Sequence, residues 1–441
     1  MSTVPTGDVG RVMGVQSVES LSSWLQQVTP SASYLLLGLR RLATLAQAYD
    51  ARLFQQAFLS AIQERLRPYG VTRSDILVLD QVVLIGLTNC RLPTQFDKDL
   101  FLERVKAALC YEPVRCGSDR ILVSVVPAWV EASGDRPVCL SHLQSLASTI
   151  AFSEVEPPVC EQTRRDMALA TRFFADMRDE KVALSFQPVV FAQDCKQVLY
   201  YEVLLRWDDA QDSTEPVSCA QVVQAIERLH VTERLDASVL WSAIQVLERC
   251  PDIHLACNVS PLSLQHGPWW RLLIAVLRGA PQMASRLTLE ITETASVFDQ
   301  KAATSLLRTL RGLGCKVAID DIGTGFNTLD LARQIRPHVI KIDKSLVHQA
   351  RDRDGIVALH SWVHAARGIS QYVIAEGIET ALDFQLSVDA GVHAVQGYFI
   401  EPPCFLPPWV GAEPLCVRDS FNPTHTHVAL NTYSLKDQEQ R

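Results

Sequence analysis

The sequence predicts an α/β protein, a (β/α)8 TIM-like barrel preceded by a smaller α+β domain. Three observations carry that expectation. Between residues 181 and 410, short apolar runs alternate seven or eight times with helix-length segments, as a single barrel requires. Carboxylates and amides recur at the ends of those runs, where barrels of this type display their chemistry. Ahead of residue 158 the rhythm is instead α+β, with helix-period segments set among a few strand-like runs.

Residues 1–30 are polar, with scattered Gly and Pro, and read as an N-terminal tail. The first domain, 31–157, opens with the strand-like run Tyr34-Leu-Leu-Leu-Gly-Leu39. Helix-period segments follow from Arg41 to Tyr49 and from Leu53 to Leu66. Strand-like runs come next at Ile76–Leu87, interrupted by Asp80 and Gln81, and at Ile121–Val126. Residues 158–180 carry a charged helical pattern from Glu161 to Arg178, expected to link the domains. The barrel region, 181–410, then offers strands at Ala183–Val190, Tyr200–Arg206, His254–Val259, Leu287–Ile291, Lys316–Ile319, Val339–Ile342 and Tyr372–Ala375. Residues 411–441 are polar and read as a C-terminal tail.

Of the 441 residues, 48% are hydrophobic and 20% charged, an ordinary globular composition with enough chain for a sizeable core. A formal net charge of -8 argues against non-specific nucleic-acid binding, and an anionic substrate would need local cations. No run approaches the roughly 18–20 apolar residues of a membrane span, so attachment to a membrane would need a partner. The 12 cysteines form no CxxC pair and no zinc spacing. Without a secretory signal they are expected as free thiols in a reducing cytoplasm, with Cys257 and Cys315 buried in strand-like runs.

The chemistry lies at the strand ends. Tyr201-Glu-Val-Leu-Leu-Arg206 alternates so that Glu202 and Arg206 share one side. Asn258 and Ser260 close the next run, then Glu290, the pair Asp320-Asp321, Lys341 with Asp343, Glu376 and Gln396. Taken singly, each has a bland reading: a helix cap or solvated loop charge for the acids, a turn residue for Asn258, a cap for Gln396, a snorkelling stem for Lys341. Together those readings fail. Barrel closure would gather at least five acidic side chains in one mouth, which is costly unless cations neutralise them. Oxygen-only ligands favour Mg²⁺ or Mn²⁺, and two such ions roughly 4 Å apart suit phosphodiester hydrolysis.

These residues also carry a resemblance. Glu202-Val-Leu with Leu-Arg206, Asn258-Val-Ser260, Glu290-Ile-Thr-Glu293, Asp320-Asp-Ile-Gly-Thr-Gly325, Lys341-Ile-Asp343, Ala375-Glu-Gly-Ile-Glu379 and Gln396-Gly-Tyr398 stand in the order and spacing of the EAL family. The resemblance covers about residues 165–408 and implies hydrolysis of cyclic di-GMP to the linear dinucleotide pGpG. It makes Glu202, Asn258, Glu290, Asp320, Asp321 and Glu376 metal ligands for two ions, Mg²⁺ or Mn²⁺. Glu202, Lys341 and Glu376 become catalytic, Lys341 orienting the attacking water with help from Asp343. Arg206 would hold a substrate phosphate through its forked donors. Gln187, Asp343 and Gln396 would line the nucleotide pocket. The loop Gly323 to Thr328, with Gly325, would organise the metals and a homodimer, supported by Glu293 and Glu379. The departures from the family pattern are Val203 in the signature triplet, Ile322 after the paired aspartates, and Phe326-Asn-Thr in the loop. None removes a ligand.

The first domain resembles a degenerate GGDEF domain, through Leu35-Leu-Leu-Gly-Leu-Arg-Arg-Leu42 with Tyr49-Asp50. Gly38 stands where that family needs a metal aspartate, and Ala46 and Gln47 where it contacts guanine. Val78-Leu-Asp-Gln-Val82 replaces the signature turn and cannot make a tight Gly-Gly bend without strain. The implied role is regulatory, through a protein partner and without cyclase activity; an unrelated sensory fold is the alternative. For the whole chain the competing readings are a cyclic di-GMP receptor that does not hydrolyse it, and a protein-interaction module using the barrel surface.

Overall fold

The structure, a computed structural model, describes residue 24 and residues 33–39, 41–79, 82–87, 97–131, 160–207, 217–265, 267–291, 300–322, 328–409 and 414–417. They fall into two compact units. One runs through Ala175 and takes in Val222–Val231; the other comprises Asp176–Gln221 and Thr232–Ser420.

In the first unit, β1 (Ser33–Leu39) is the continuous apolar run the sequence shows, with Leu35, Leu36 and Leu37 fully buried. It pairs antiparallel with β3 (Val82–Gly86) and β6 (Val125–Glu131), and β2 (Ile76–Leu79) extends the sheet beyond β3. The run Ile76–Leu87 is thus two paired strands, and its interruption Asp80-Gln81 lies outside the described residues. Nor is Ile121–Val126 one strand: Ile121 ends β5 (Asp119–Ile121), which pairs with β4 (Val114–Cys116), and Val125 begins β6. Helices α1 (Leu42–Ala48), α2 (Ala51–Leu66) and α3 (Lys98–Cys110) accompany the sheet. Asp50 and Asp97 cap α2 and α3 by accepting from free backbone N–H groups. Arg65 donates to the carbonyls of Leu109, Glu112 and Pro113, satisfying the orphan acceptors after α3. The expected helix at 158–180 is α4 (Cys160–Arg178). In this unit Asp166 of α4 receives both Nε and Nη2 of Arg228, each at 2.7 Å, from the end of α5 (Cys219–Arg228).

The second unit is a closed eight-stranded barrel. Its strands are β7 (Val182–Phe191), β8 (Asp194–Trp207), β9 (Leu255–Val259), β10 (Leu287–Ile291), β11 (Lys316–Ile322), β12 (Val339–Ile342), β13 (Tyr372–Ala375) and β14 (Ala394–Val395). They pair in chain order and β14 closes on β7. From β8 to β14 all neighbours are parallel, with α6 (Thr232–Arg249), α7 (Pro268–Gly279), α8 (Pro281–Ala284), α9 (Gln300–Gly312), α10 (Thr328–Ile335), α11 (Lys344–Gln349), α12 (Arg353–Arg367) and α13 (Ala381–Ala390) between them. Strand β7 is antiparallel to both neighbours. The cause is local: residues 192–193 are all that separate β7 from β8, far too few for a crossover helix, so the pair must be a hairpin.

Alternation then sorts the side chains. Leu255, Cys257, Val259, Ile340 and Ile342 are buried and stand out of phase with the site positions of their strands. Inside the barrel, Val189, Tyr200, Ala256, Ala318, Val339, Ile374 and Ala394 form one buried cluster. Two positions on from the members on β8, β9, β11, β12, β13 and β14 stand Glu202, Asn258, Asp320, Lys341, Glu376 and Gln396. On antiparallel β7 the same step runs backwards, from Val189 to Gln187.

Candidate metal centre

Lys341 organises this polar layer. Its side chain is 1% exposed, and Nζ lies 2.9 Å from Glu290 Oε2, 3.3 Å from Glu202 Oε2, 3.4 Å from Asp320 Oδ2 and 2.5 Å from Glu376 Oε1. A lysine snorkelling to solvent is therefore not what the structure shows. One oxygen each from Glu202, Glu290 and Asp320 lie within 4.8 Å of one another, as do one each from Asp320, Asp321 and Glu376. Asp320 belongs to both groups.

Adjacent strand residues ordinarily face opposite ways, yet Asp320 and Asp321 both serve the cluster. Two backbone features explain it. The β11–β12 register shifts between Ile319 and Ile322, and Asp321 takes φ 58°, the left-handed region. Such a bulge re-aims a side chain, and an uncommon conformation of this kind is found where function requires it. Glu376 is placed by a comparable device. Gly377 follows with φ +64°, and a Cβ there would stand 2.3 Å from Lys344 Cβ.

Amides fix Glu202. Asn258 Nδ2 donates to its Oε1 at 2.9 Å, and Gln396 Nε2 donates to its Oε2 at 2.6 Å. The other Gln396 hydrogen goes to Gln187 Oε1 at 3.1 Å, and Gln187 Nε2 donates to the Glu401 carbonyl at 3.1 Å. Both amide hydrogens of Gln396 are thus committed, whereas its Oε1 is buried with no partner among the described residues.

The electrostatics follow from packing five carboxylates around one ammonium. Burial pushes the Glu290 carboxyl up to about 8, with Glu202 and Asp320 adding to the effect against Lys341. Burial and Asp320 hold Glu376 well above the usual range, and burial with Asp320 and Asp343 lifts Asp321 to about 6. Asp320 is raised as well. For Glu202 burial is outweighed by Lys341, Gln396 and Asn258, and the carboxyl sits below its ordinary value. Burial alone would discharge Lys341; the surrounding Asp320, Glu202, Glu290 and Glu376 hold it charged well beyond its usual range. One ammonium does not balance the group, and the carboxyls other than Glu202 rise to share protons instead. Hard, oxygen-seeking divalent cations fit such a donor set.

Other expected site residues among those described do not join the two oxygen triads. Among the described residues, Arg206 bonds the Leu205 carbonyl at 2.8 Å and no cluster carboxylate. Asp343 caps α11, accepting from Ser345 N at 2.9 Å. Glu379 is exposed, 3.8 Å from Arg351 and 3.7 Å from His348. Glu293, Gly323 and Gly325 lie outside the described residues. One contact was not anticipated: Tyr200 OH donates to Glu290 Oε1 at 2.7 Å. Its signal was present, since Tyr200 shares the inward face of Glu202 two positions earlier, but a hydroxyl reaching two strands away is invisible to alternation.

A sequence model of the EAL domain matches residues 166–403, more than half of the 441 residues. This chain belongs to the EAL domain family. The chain is 30% identical over 265 residues to a cyclic di-GMP phosphodiesterase of Pseudomonas aeruginosa, covering 58% of this chain and 44% of that one. It is 26% identical over 230 residues to the bifunctional diguanylate cyclase/cyclic di-GMP phosphodiesterase MucR of the same organism, covering 51% and 33%. Among solved structures, a PaMucR phosphodiesterase in complex with c-di-GMP is similar at 24% identity and a TM-score of 0.48, over 54% of this chain and 97% of that one. The chain spans less than half the length of these curated relatives. Among the described residues, no helix is long and apolar enough to cross a membrane.

Proposed function

We propose that this EAL domain hydrolyses cyclic di-GMP to pGpG with two divalent cations, Mg²⁺ or Mn²⁺. The observation that carries the reading is the convergence of Glu202, Glu290, Asp320, Asp321 and Glu376 as two oxygen triads sharing Asp320. The names of the curated relatives supply the substrate.

Glu202, Asn258, Glu290, Asp320, Asp321 and Glu376 would hold the ions, and Asn258 Oδ1 is left for that purpose because Nδ2 donates to Glu202. Cations held there would neutralise phosphate charge and acidify water. Lys341 keeps its charge throughout and orients the attacking water from the middle of the cluster. Glu376, with 18% of its side chain open to solvent, is placed to take that water's proton. Arg206 offers a forked donor to a substrate phosphate, and Gln187, Asp343 and Gln396 line the nucleotide pocket.

The domain order 31–157, 158–180 and 181–410 belongs to the same proposal: a degenerate GGDEF-like regulatory domain without cyclase activity, a linking helix, and the phosphodiesterase. So do a cytoplasmic location, a homodimer through the EAL domain, and a protein partner for the first domain. The test is to incubate the purified chain with cyclic di-GMP and Mn²⁺ or Mg²⁺ and to measure pGpG. Full turnover after exhaustive chelation would overturn the metal reading. Tight binding without turnover would establish the receptor alternative.

A further inference from the structure

We propose that Tyr200 is a positioning residue of the metal centre, its buried hydroxyl fixing the carboxylate of Glu290. The inference rests on the reading of Glu290 as a metal ligand.

Tyr200 sits in the apolar layer beneath the cluster. Of Val189, Tyr200, Ala256, Ala318, Val339, Ile374 and Ala394, Tyr200 alone carries a polar side-chain atom. It is also the largest of them, 2% exposed, and three alanines share the layer with its ring. Small residues set beside one large one let a closed barrel fill its interior without voids. A phenylalanine would satisfy that packing equally well. The hydroxyl therefore needs its own account, and its bond is to Glu290 Oε1 at 2.7 Å.

Glu290 is fully buried and receives a second donor, Lys341 Nζ, on its other oxygen at 2.9 Å. A carboxylate's terminal torsion is broad and roughly two-fold, so a single donor leaves the plane free to turn. Two donors on separate oxygens fix the plane. With the plane fixed, the spacing of Glu290 from Glu202 and Asp320, within 4.8 Å, is held before any cation arrives. Partners of this kind, one bond behind the ligand, orient it and tune its affinity.

The test compares Tyr200→Phe, Glu290→Gln and the double variant with the wild-type full chain. Mn²⁺ binding is titrated without nucleotide, following free Mn²⁺ by electron paramagnetic resonance, beside kcat and KM for cyclic di-GMP. Unfolding temperatures in EDTA establish that each variant is folded. Tyr200→Phe should weaken Mn²⁺ binding about 10–100-fold and lower kcat, with KM within twofold of wild type. In the Glu290→Gln background the same change should add almost nothing, because Tyr200 acts through Glu290. Unchanged Mn²⁺ binding by Tyr200→Phe, or additive losses in the double variant, would overturn the proposal. A wild type that binds Mn²⁺ yet makes no pGpG removes the phosphodiesterase reading, while the binding comparison still decides the role of Tyr200.

Discussion

Replacing Lys341 by methionine tests whether the polar layer is an unbalanced cluster of charge. The ammonium is 1% exposed and bonded to four carboxylates between 2.5 and 3.4 Å. Removing one partner from a buried ion group typically costs about 3–5 kcal/mol, because the charges left behind stay buried and unpaired. For a domain of this size that corresponds to a Tm lower by on the order of 10 °C. Protons limit the loss. Glu290 is already pushed up to about 8 and Glu376 well above its ordinary value, so near pH 6 the cluster protonates instead of repelling. At pH 8.5 the unfolded carboxyls are ionised, so holding protons in the folded cluster costs more as pH rises. It costs more still in the variant, because Lys341 no longer lowers those carboxyls. Thermal unfolding in EDTA should therefore show a gap between wild type and Lys341→Met that widens from pH 6 to pH 8.5. Mn²⁺ should narrow it by supplying the missing positive charge. Equal Tm values for the two proteins in EDTA at pH 8.5 would refute this account.

Glu202→Ala removes a ligand that three donors hold in place, and hydrolysis should fall by several orders of magnitude, read as pGpG released per enzyme. Ca²⁺ should compete with Mn²⁺ for the centre yet support little turnover, its longer and looser coordination placing water poorly; full activity in Ca²⁺ alone would contradict that. Gly377→Ala should cost more than about 1–3 kcal/mol in denaturant unfolding, since the left-handed backbone and the 2.3 Å approach to Lys344 Cβ both oppose a side chain. The opposite end of the barrel supplies a pH dependence. His338 Nδ1 accepts from Val317 N at 3.1 Å and His393 Nδ1 from Val373 N at 3.0 Å. Burial with Arg311 and Lys316 lowers His338, and burial with Arg367 lowers His393, so the folded state holds both neutral. Their contribution is complete above the unfolded value of about 6.5 and is lost as pH falls from there through their lowered folded values. A His338→Asn/His393→Asn variant, which keeps acceptors in place, should lose less Tm than wild type between pH 7 and pH 5.5. Identical pH slopes would count against the two histidines.

Much of this protein was legible in its residues because a barrel strand has a period of two and its chemistry sits at one end. Glu202, Asn258, Glu290, Asp320 and Lys341 could be placed on a common inner face by counting, and closure of the barrel does bring them together. Cys257 and Cys315, in apolar runs, are buried free thiols as composition implied. Counting failed wherever the backbone left its ideal period. Nothing in Asp320-Asp321 announces that φ 58° turns the second carboxylate into the cluster, because that strain is sustained by the surrounding sheet and not by local preference. The hairpin of β7 and β8 depends on how two residues close a turn, and Asp343 became a helix cap because β12 ends one residue before it. Contacts between strands are the last thing a linear pattern can hold. That Tyr200 meets Glu290 across an intervening strand, and that Gln396 spends its donors on Glu202 and Gln187, depends on barrel curvature and on volumes filled by distant alanines. Periodicity decides which way a side chain faces. Distance across a closed sheet decides what it touches, and only tertiary packing sets that distance.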